Sequence, residues 1–465
     1  MKFTDITETD DITKSIETLK AGKSYDKFDD VKAEYEISEK RDILNPSVYK
    51  DKPKKNKDGQ QSGVTYVNRI PLALEKRIVD STVSFTFGNP VEVTCEQDDE
   101  MSLAILAAIK RMLSDNKIDS FNRQIARDIA RCTESAEVWF PVNTKESHAH
   151  YGFNTPFKMR VQQFSPWKGD LLFPYFDKTG DMIAFSREFR VKENGKEIIY
   201  FETYTDEQKV VWRKDESDWE MVGTPEPIQI KKIPVVYGQQ DFVEWNDVEP
   251  LIKRLEKRIS KFGDTNDYFA SPSYAVVGDI TAMPDKDETG KVFQLGSGGD
   301  IKVVSWDQLP EAIKLEVDTL IRFIFSNTQT PDLSFDAVKG LDLSGKAMKY
   351  LFMDAHLKVK TKREIFDPYL QRRINILKAY TGELNTAWKK KAVAIEIIPN
   401  IVPYIINDES DLVDMLTTAT GGKSIISQKT AVAKSGLVDN VEEEYKQIQA
   451  EEERANTLNI FPPAA

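Results

Sequence analysis

The sequence predicts an α+β chain of several domains, and three observations carry that reading. Apolar residues recur at helical spacing over residues 64–131, then alternate as strands from Glu137 to Val236. Between Trp245 and Tyr380, two amphipathic helical stretches flank a short strand-and-turn module, and an unusually long helical run follows. A length of 465 residues suits roughly two to four domains.

Residues 1–63 read as a polar N-terminal segment, acidic to about residue 45, with a helical pattern only at Ile12, Ile16 and Leu19. The basic stretch Lys50 to Lys57, followed by Asp58-Gly59-Gln60-Gln61-Ser62-Gly63, has the composition of a solvated linker. A helix is expected over Val64 to Phe87, stopped by Gly88-Asn89-Pro90, then a strand at Val91–Cys95 and helices at Glu100–Ser114 and Ser120–Arg131. Strands follow at Glu137–Val142, Phe157–Phe164, Ile183–Val191, Glu197–Tyr204 and Lys209–Arg213. Lys178-Thr179-Gly180-Asp181 and Glu193-Asn194-Gly195-Lys196 have hairpin-turn chemistry.

The next helix is expected to open at Asn246, with Glu249 at capping-box spacing and Pro250 in the first turn. Val248, Leu251, Ile252, Leu255, Ile259 and Phe262 form its apolar stripe. The module over Ser271 to Trp306 has strands at Tyr274–Val277 and Ile301–Val304. Its partner helix follows Asp307 and carries Ile313, Val317, Leu320, Ile321 and Ile324 on one face. Pro331 disfavours helix at the residue before it, so a loop begins there. The long run from Lys346 to Lys378 would span roughly 50 Å, with Pro368 predicted to kink it. Between Ser344 and Tyr380 nine Lys/Arg face three Asp/Glu, while the whole chain is −12. Beyond Thr381, apolar Pro-punctuated pieces precede helices at Asp411–Thr418, Gln428–Ser435 and Val441–Asn456.

Composition excludes several function classes. Two cysteines, Cys95 and Cys132, argue against a disulfide scaffold and suit a reducing compartment. His148, His150 and His356 are too scattered for a zinc site. No run approaches the ~18 apolar residues of a membrane span, and Met1-Lys2-Phe3-Thr4-Asp5 lacks a signal core, so the chain is expected to be soluble and intracellular when made. A pI near 5.1 argues against tight general binding of nucleic acid, though not against a protein that surrounds DNA without gripping it.

Site-like constellations favour structural readings. Gly296-Ser297-Gly298-Gly299 lacks a following Gly-Lys-Ser/Thr and reads as a hairpin turn. Ser344-Gly345-Lys346 lacks the preceding glycine of a P-loop and reads as a helix start. Asp285, Asp287 and Glu288 read as a solvated turn, and Trp167, Trp212, Trp219, Trp245 and Trp306 as packing or subunit contacts. No catalytic, metal or cofactor site is expected. Lys346, Lys349, Lys358, Lys360, Lys362, Arg363, Arg372 and Arg373 would face DNA or, for most, pair with acids of a neighbouring subunit.

The order helix, module, helix, Thr328-Gln329-Thr330-Pro331-Asp332-Leu333-Ser334 loop, Ser344-Gly345-Lys346-Ala347-Met348-Lys349 and long helix resembles the tailed-bacteriophage portal proteins of long-tailed phages of Gram-positive bacteria. Asn68-Arg69-Ile70, Phe87-Gly88-Asn89-Pro90, Ile233-Pro234-Val235-Val236 and Ser424-Ile425-Ile426-Ser427-Gln428 agree with it, over about residues 60–455. The resemblance implies a wing (64–245), stem helices (246–270 and 307–328), a clip (271–306), a tunnel loop (329–343), a long wing helix (344–380) and a crown (381–465). It further implies a dodecameric ring at one capsid vertex, through which double-stranded DNA is packaged and ejected. Its partners would be the terminase large subunit, head-completion or adaptor proteins, and major capsid and scaffolding proteins, in the virion and earlier in the host cytoplasm. Thr330, Asp332, Phe335, Asp336, Val338, Lys339 and Asp342 would face DNA from the loop. An intracellular scaffolding or adaptor protein without DNA contact is the alternative.

Overall fold

The computed structural model describes the chain except residues 1–10, 21–22, 24, 26–27, 56–58, 216–217, 270–272, 278–279, 283–293, 296–299, 305–308, 333–351, 405–408, 439 and 460–465. It divides into two units, residues 1–332 with 354–404, and residues 333–353 with 405–465. The α+β reading holds.

In the first unit, α1 (Ile12–Lys20) lays Ile16 and Leu19 on an aromatic cluster of Phe173, Phe201 and Trp212. From α2 (Phe28–Tyr35), Tyr35 meets Trp167 edge-on at 5.3 Å and Trp245 at 5.6 Å. The N-terminal segment therefore belongs to the core of this unit. Periodicity concealed this, because each short helix offers only two or three apolar contacts. The stretch expected to be a linker is a hairpin of β1 (Lys52–Lys55) and β2 (Gln61–Thr65). The next helix starts later than residue 64: Pro71 interrupts, and α3 runs Leu74–Phe87.

Strand β3 (Glu92–Cys95) leads to α4 (Glu100–Asp115), capped by Asp99, whose side chain accepts from the Ser102 amide at 3.1 Å. Helix α5 (Ile118–Cys132) packs on α3. A first sheet has the order β12 (Val235–Gln239), β4 (Glu134–His148), β5 (Thr155–Phe164). The second runs from β6 (Leu171–Phe176) through β7 (Met182–Glu193), β8 (Lys196–Tyr204) and β9 (Gln208–Lys214) to β10 (Trp219–Met221), with β11 (Glu226–Pro227) also on β9. The β7–β8 turn places Asn194 at φ 50° and Gly195 at φ 83°, the paired positive values that tight hairpins require.

A 3₁₀ turn at Asn246–Val248 precedes α6 (Glu249–Phe269). The expected capping box is not made: the Asn246 side-chain amide Nδ2 donates to Asp247 Oδ1 at 3.0 Å. Fully buried Trp245, its indole on Glu34 at 3.2 Å, sets the backbone there. Strands β13 (Ser273–Val277), β14 (Ile280–Ala282), β15 (Gln294–Leu295) and β16 (Asp300–Val304) pair as β13–β16 and β14–β15, between α6 and α7 (Leu309–Asn327). The long helix, α8 (Met353–Leu384), buries Phe366, Tyr369, Leu370, Ile374 and Leu377 and continues through Pro368. It lies close to β12: a Cβ on Gly238 would meet Tyr369 at 2.8 Å and Ile129 at 2.9 Å, so a larger residue there would have to displace those side chains.

After α9 (Lys389–Ala394), β17 (Ile397–Asn400) pairs with β3, so residues 381–404 return to the first unit. The sequence placed the domain change at 381. The partner of β17 lies some 300 residues upstream, beyond any local signal. The second unit contains α10 (Glu409–Thr420), α11 (Gln428–Ser435) and α12 (Val441–Asn459). Ser427 caps α11, and Gly436 at φ 68° ends it.

One buried cation ties the N-terminal segment to the helices. Arg41 reaches Glu75 of α3 at 2.8 Å and Glu256 of α6 at 2.7 Å. Two acids share one guanidinium, and Glu75 Oε2 is buried with no hydrogen-bond partner. Burial pushes the Glu75 carboxyl up to about 7 against the pull of Arg41. A folded value above the unfolded one stabilises the fold at low pH and loses that contribution as pH rises toward 7. Relative to Glu75→Gln, the wild type should therefore lose about 3 kcal/mol between pH 4.5 and 8. Denaturant midpoints of both proteins across that range measure it; a constant difference would remove the assignment.

Candidate functional site

The stem-like hairpin and the residues after it as far as Asp332 are held by charge. On α6, Arg254 reaches Glu316 of α7 at 2.7 Å, and Arg258 meets the other oxygen of the same carboxylate. Ile252 and Leu255 on α6 and Ile324 on α7 are fully buried, whereas Lys257 and Lys261 on α6 are exposed.

Helix α7 closes its own C-terminus. The Thr330 amide donates to Phe325 O at 2.9 Å and the Gln329 amide to Ser326 O at 3.1 Å, with Gln329 left-handed at φ 51°. The hydroxyls of Thr328 and Thr330 lie 3.0 Å apart. Lys358 of α8 donates to Thr328 O at 2.7 Å, placing a cation at the negative end of the α7 dipole. On the far side of the root, Arg77 reaches Asp332 at 3.2 Å and covers the Phe325 ring at 4.5 Å.

Lys358 has a second duty. Its ammonium lies 2.8 Å from Glu244, whose other oxygen lies 2.6 Å from Lys362. Lys362 also donates to Gln240 at 2.8 Å. Burial opposes ionisation of Glu244, but the two ammonium groups outweigh it and hold its carboxyl below the usual range. About three turns further along α8 from Lys362, Arg373 grips Glu137 of β4 through both oxygens, at 2.6 and 2.7 Å, and Asn122 of α5 at 2.6 Å. The Trp139 indole completes Glu137 at 2.8 Å.

These contacts place part of the set expected to face DNA. Thr330 is buried in the helix end, and Asp332 is occupied by Arg77. Phe335, Asp336, Val338, Lys339 and Asp342 lie outside the described residues, as do Lys346 and Lys349. So do Ser344-Gly345, the Gly296–Gly299 turn, Asp285, Asp287, Glu288 and Trp306. Lys358, Lys362 and Arg373 pair with acids of their own chain. Arg363 contacts Asp367 at 3.0 Å and Asn400 at 3.2 Å, and Arg372 donates to Val235 O at 3.0 Å. Lys360 is exposed. The cause is positional: the buried side of α8 lies against β4, β12 and the segment before α6, where the partner acids Glu137 and Glu244 stand. Neither acid carried a sequence signal, since each lies more than 100 residues from its cation.

Among the described residues no group of His, Cys, Asp and Glu could hold a metal ion, and no helix is long and apolar enough to cross a membrane. Against Pro368, Met182, Ile183, Ile233, Arg372 and Ile376 line a cavity of about 570 Å³.

Residues 21–458 match the family model described as phage portal protein, SPP1 Gp6-like. No curated protein sequence matches the chain. Among solved structures, a chain from the neck of an empty GTA particle aligns with a TM-score of 0.42 and 11% identity, covering 79% of this chain and 89% of that one. A chain from the virion of a native gene transfer agent particle aligns with a TM-score of 0.38 and 12% identity, over the same shares. The family match runs through both units, from α2 into α12, and the chain belongs to the SPP1 Gp6-like family of phage portal proteins.

Proposed function

We propose that this chain is the subunit of a dodecameric ring at one capsid vertex, the channel through which double-stranded DNA is packaged and later ejected. It hydrolyses nothing and needs no cofactor; the terminase large subunit supplies the ATP turnover. Helices α6 and α7 frame the channel. The β13–β16 module presents the surface that terminase and then head-completion or adaptor proteins dock on. Other surfaces meet the major capsid and scaffolding proteins. The loop over residues 329–343 reaches toward DNA, with Lys339 its only cation among acids. The net charge of −12 per subunit supports sliding over gripping.

The observation that carries this reading is the antiparallel β module held between two helices braced through Glu316, in a chain whose family match is a portal protein. Negative-stain images and a mass measurement of the purified protein test it. A ring of about twelve subunits is expected; a monomer or a small closed oligomer under all assembly conditions would overturn it. Replacing residues 271–306 by a short turn should leave the first unit folded and abolish terminase docking. Packaging at normal rates by that variant would remove the docking role.

A further inference from the structure

The β1–β2 hairpin is exposed on both faces along its whole length. Lys52 pairs with Thr65 and Lys54 with Gly63, which puts the two lysines on one face. Pro53 pairs with Val64 on the other face, followed on the same side by Tyr66, which is 81% exposed. The ribbon is thus cationic on one side and apolar on the other. Residues 50–66 carry five Lys and two Asp, a balance of +3 in a chain of −12. Lys54 and Lys55 make no ion pair among the described residues, and Lys52 reaches only Asp264, at 3.4 Å.

Its root is firm. Arg69 holds Tyr49 O at 2.9 Å and Asp51 at 2.7 Å, Asp51 accepts from the Val67 amide at 3.1 Å, and Val67 is buried. A two-stranded ribbon with neither face covered is marginal in water, so a partner must complete what the root positions.

The same chain displays a surface of complementary pattern. Glu96, Asp98 and Glu100 are exposed beside Met101 and Leu103, themselves 42% and 49% exposed. We propose that the β1–β2 ribbon docks on this acidic and apolar surface of a second copy. Seated edge-on, the ribbon would turn Lys52 and Lys54 to the carboxylates on one side and Val64 and Tyr66 to Met101 and Leu103 on the other. Two different patches make a heterologous contact, the kind that generates rings when the rotation closes. The apolar side favours protein over a phosphate backbone, which would leave Val64 and Tyr66 uncovered. This inference rests on the ring reading and names one of its contacts.

The test is ring assembly by mass photometry at about 0.15 M salt, with melting curves as the folding control. K52E/K54E/K55E should raise the concentration for half-assembly by about tenfold, and E96K/D98K/E100K should do the same. All six changes in one chain should restore assembly toward the wild-type value. Wild-type assembly by the triple variants, or no recovery in the sixfold variant, would overturn the contact and leave the ring reading standing. A wild type that never forms rings would overturn both. Unchanged assembly with lost binding of a duplex DNA probe would place the ribbon on phosphate and overturn the proposal.

Discussion

Glu137→Ala should destabilise the first unit by about 3–5 kcal/mol. Arg373 is 2% exposed and Glu137 fully buried, and the guanidinium spends its fork on both carboxylate oxygens and on Asn122. Removing the carboxylate leaves a buried cation with one neutral acceptor and strands the Trp139 indole. The penalty comes from the orphaned charge, so removing both charges should cost far less than removing one. Arg373→Met combined with Glu137→Met should therefore recover most of the lost stability. Denaturant midpoints of the single and double variants measure this. Additive losses would show that the pair acts through packing rather than charge.

The second large effect is expected at Glu244. Glu244→Ala leaves Lys358 and Lys362 facing each other without their shared carboxylate, at a cost of about 3 kcal/mol. Lys358 also holds the carbonyl end of α7, so the damage should reach the loop root. Rings of normal mass that retain packaged DNA poorly are the expected phenotype, and Lys358→Met should relieve part of the stability loss. The carboxyl is held below its usual range, so its contribution is present above the unfolded value, about 4.3, and fades as pH falls through the lower folded one. The gap between wild type and Glu244→Ala should then narrow in acid. A gap that is constant in pH, with normal DNA retention, would leave Glu244 without this role.

Several elements were legible from local pattern alone. Strands β4, β5, β7, β8 and β9, the two hairpin turns, helices α4 to α7 and the long helix all follow from periodicity, turn chemistry and helix-stopping residues within each segment, whereas β6 was not expected. Asn194-Gly195 declared its turn because only such residues adopt two successive positive φ values at little cost. The end of α7 was readable from Pro331, although closure through left-handed Gln329 was not.

Tertiary structure decided what the charges do. The basic helix looked like a surface for DNA or a neighbouring subunit, since charge counts along a segment say nothing about what lies across from it. Folding brings Glu137 and Glu244 from more than 100 residues away, and the desolvation cost of Lys358, Lys362 and Arg373 demands such partners. The same distance hid the return of β17 to β3 and the docking of α1 and α2. Arg41 was just as unreadable, one arginine among a polar run until Glu75 and Glu256 closed around it. Helices and strands are chosen by neighbours a few residues apart; burial of a charge is chosen by residues that meet only once the chain has folded.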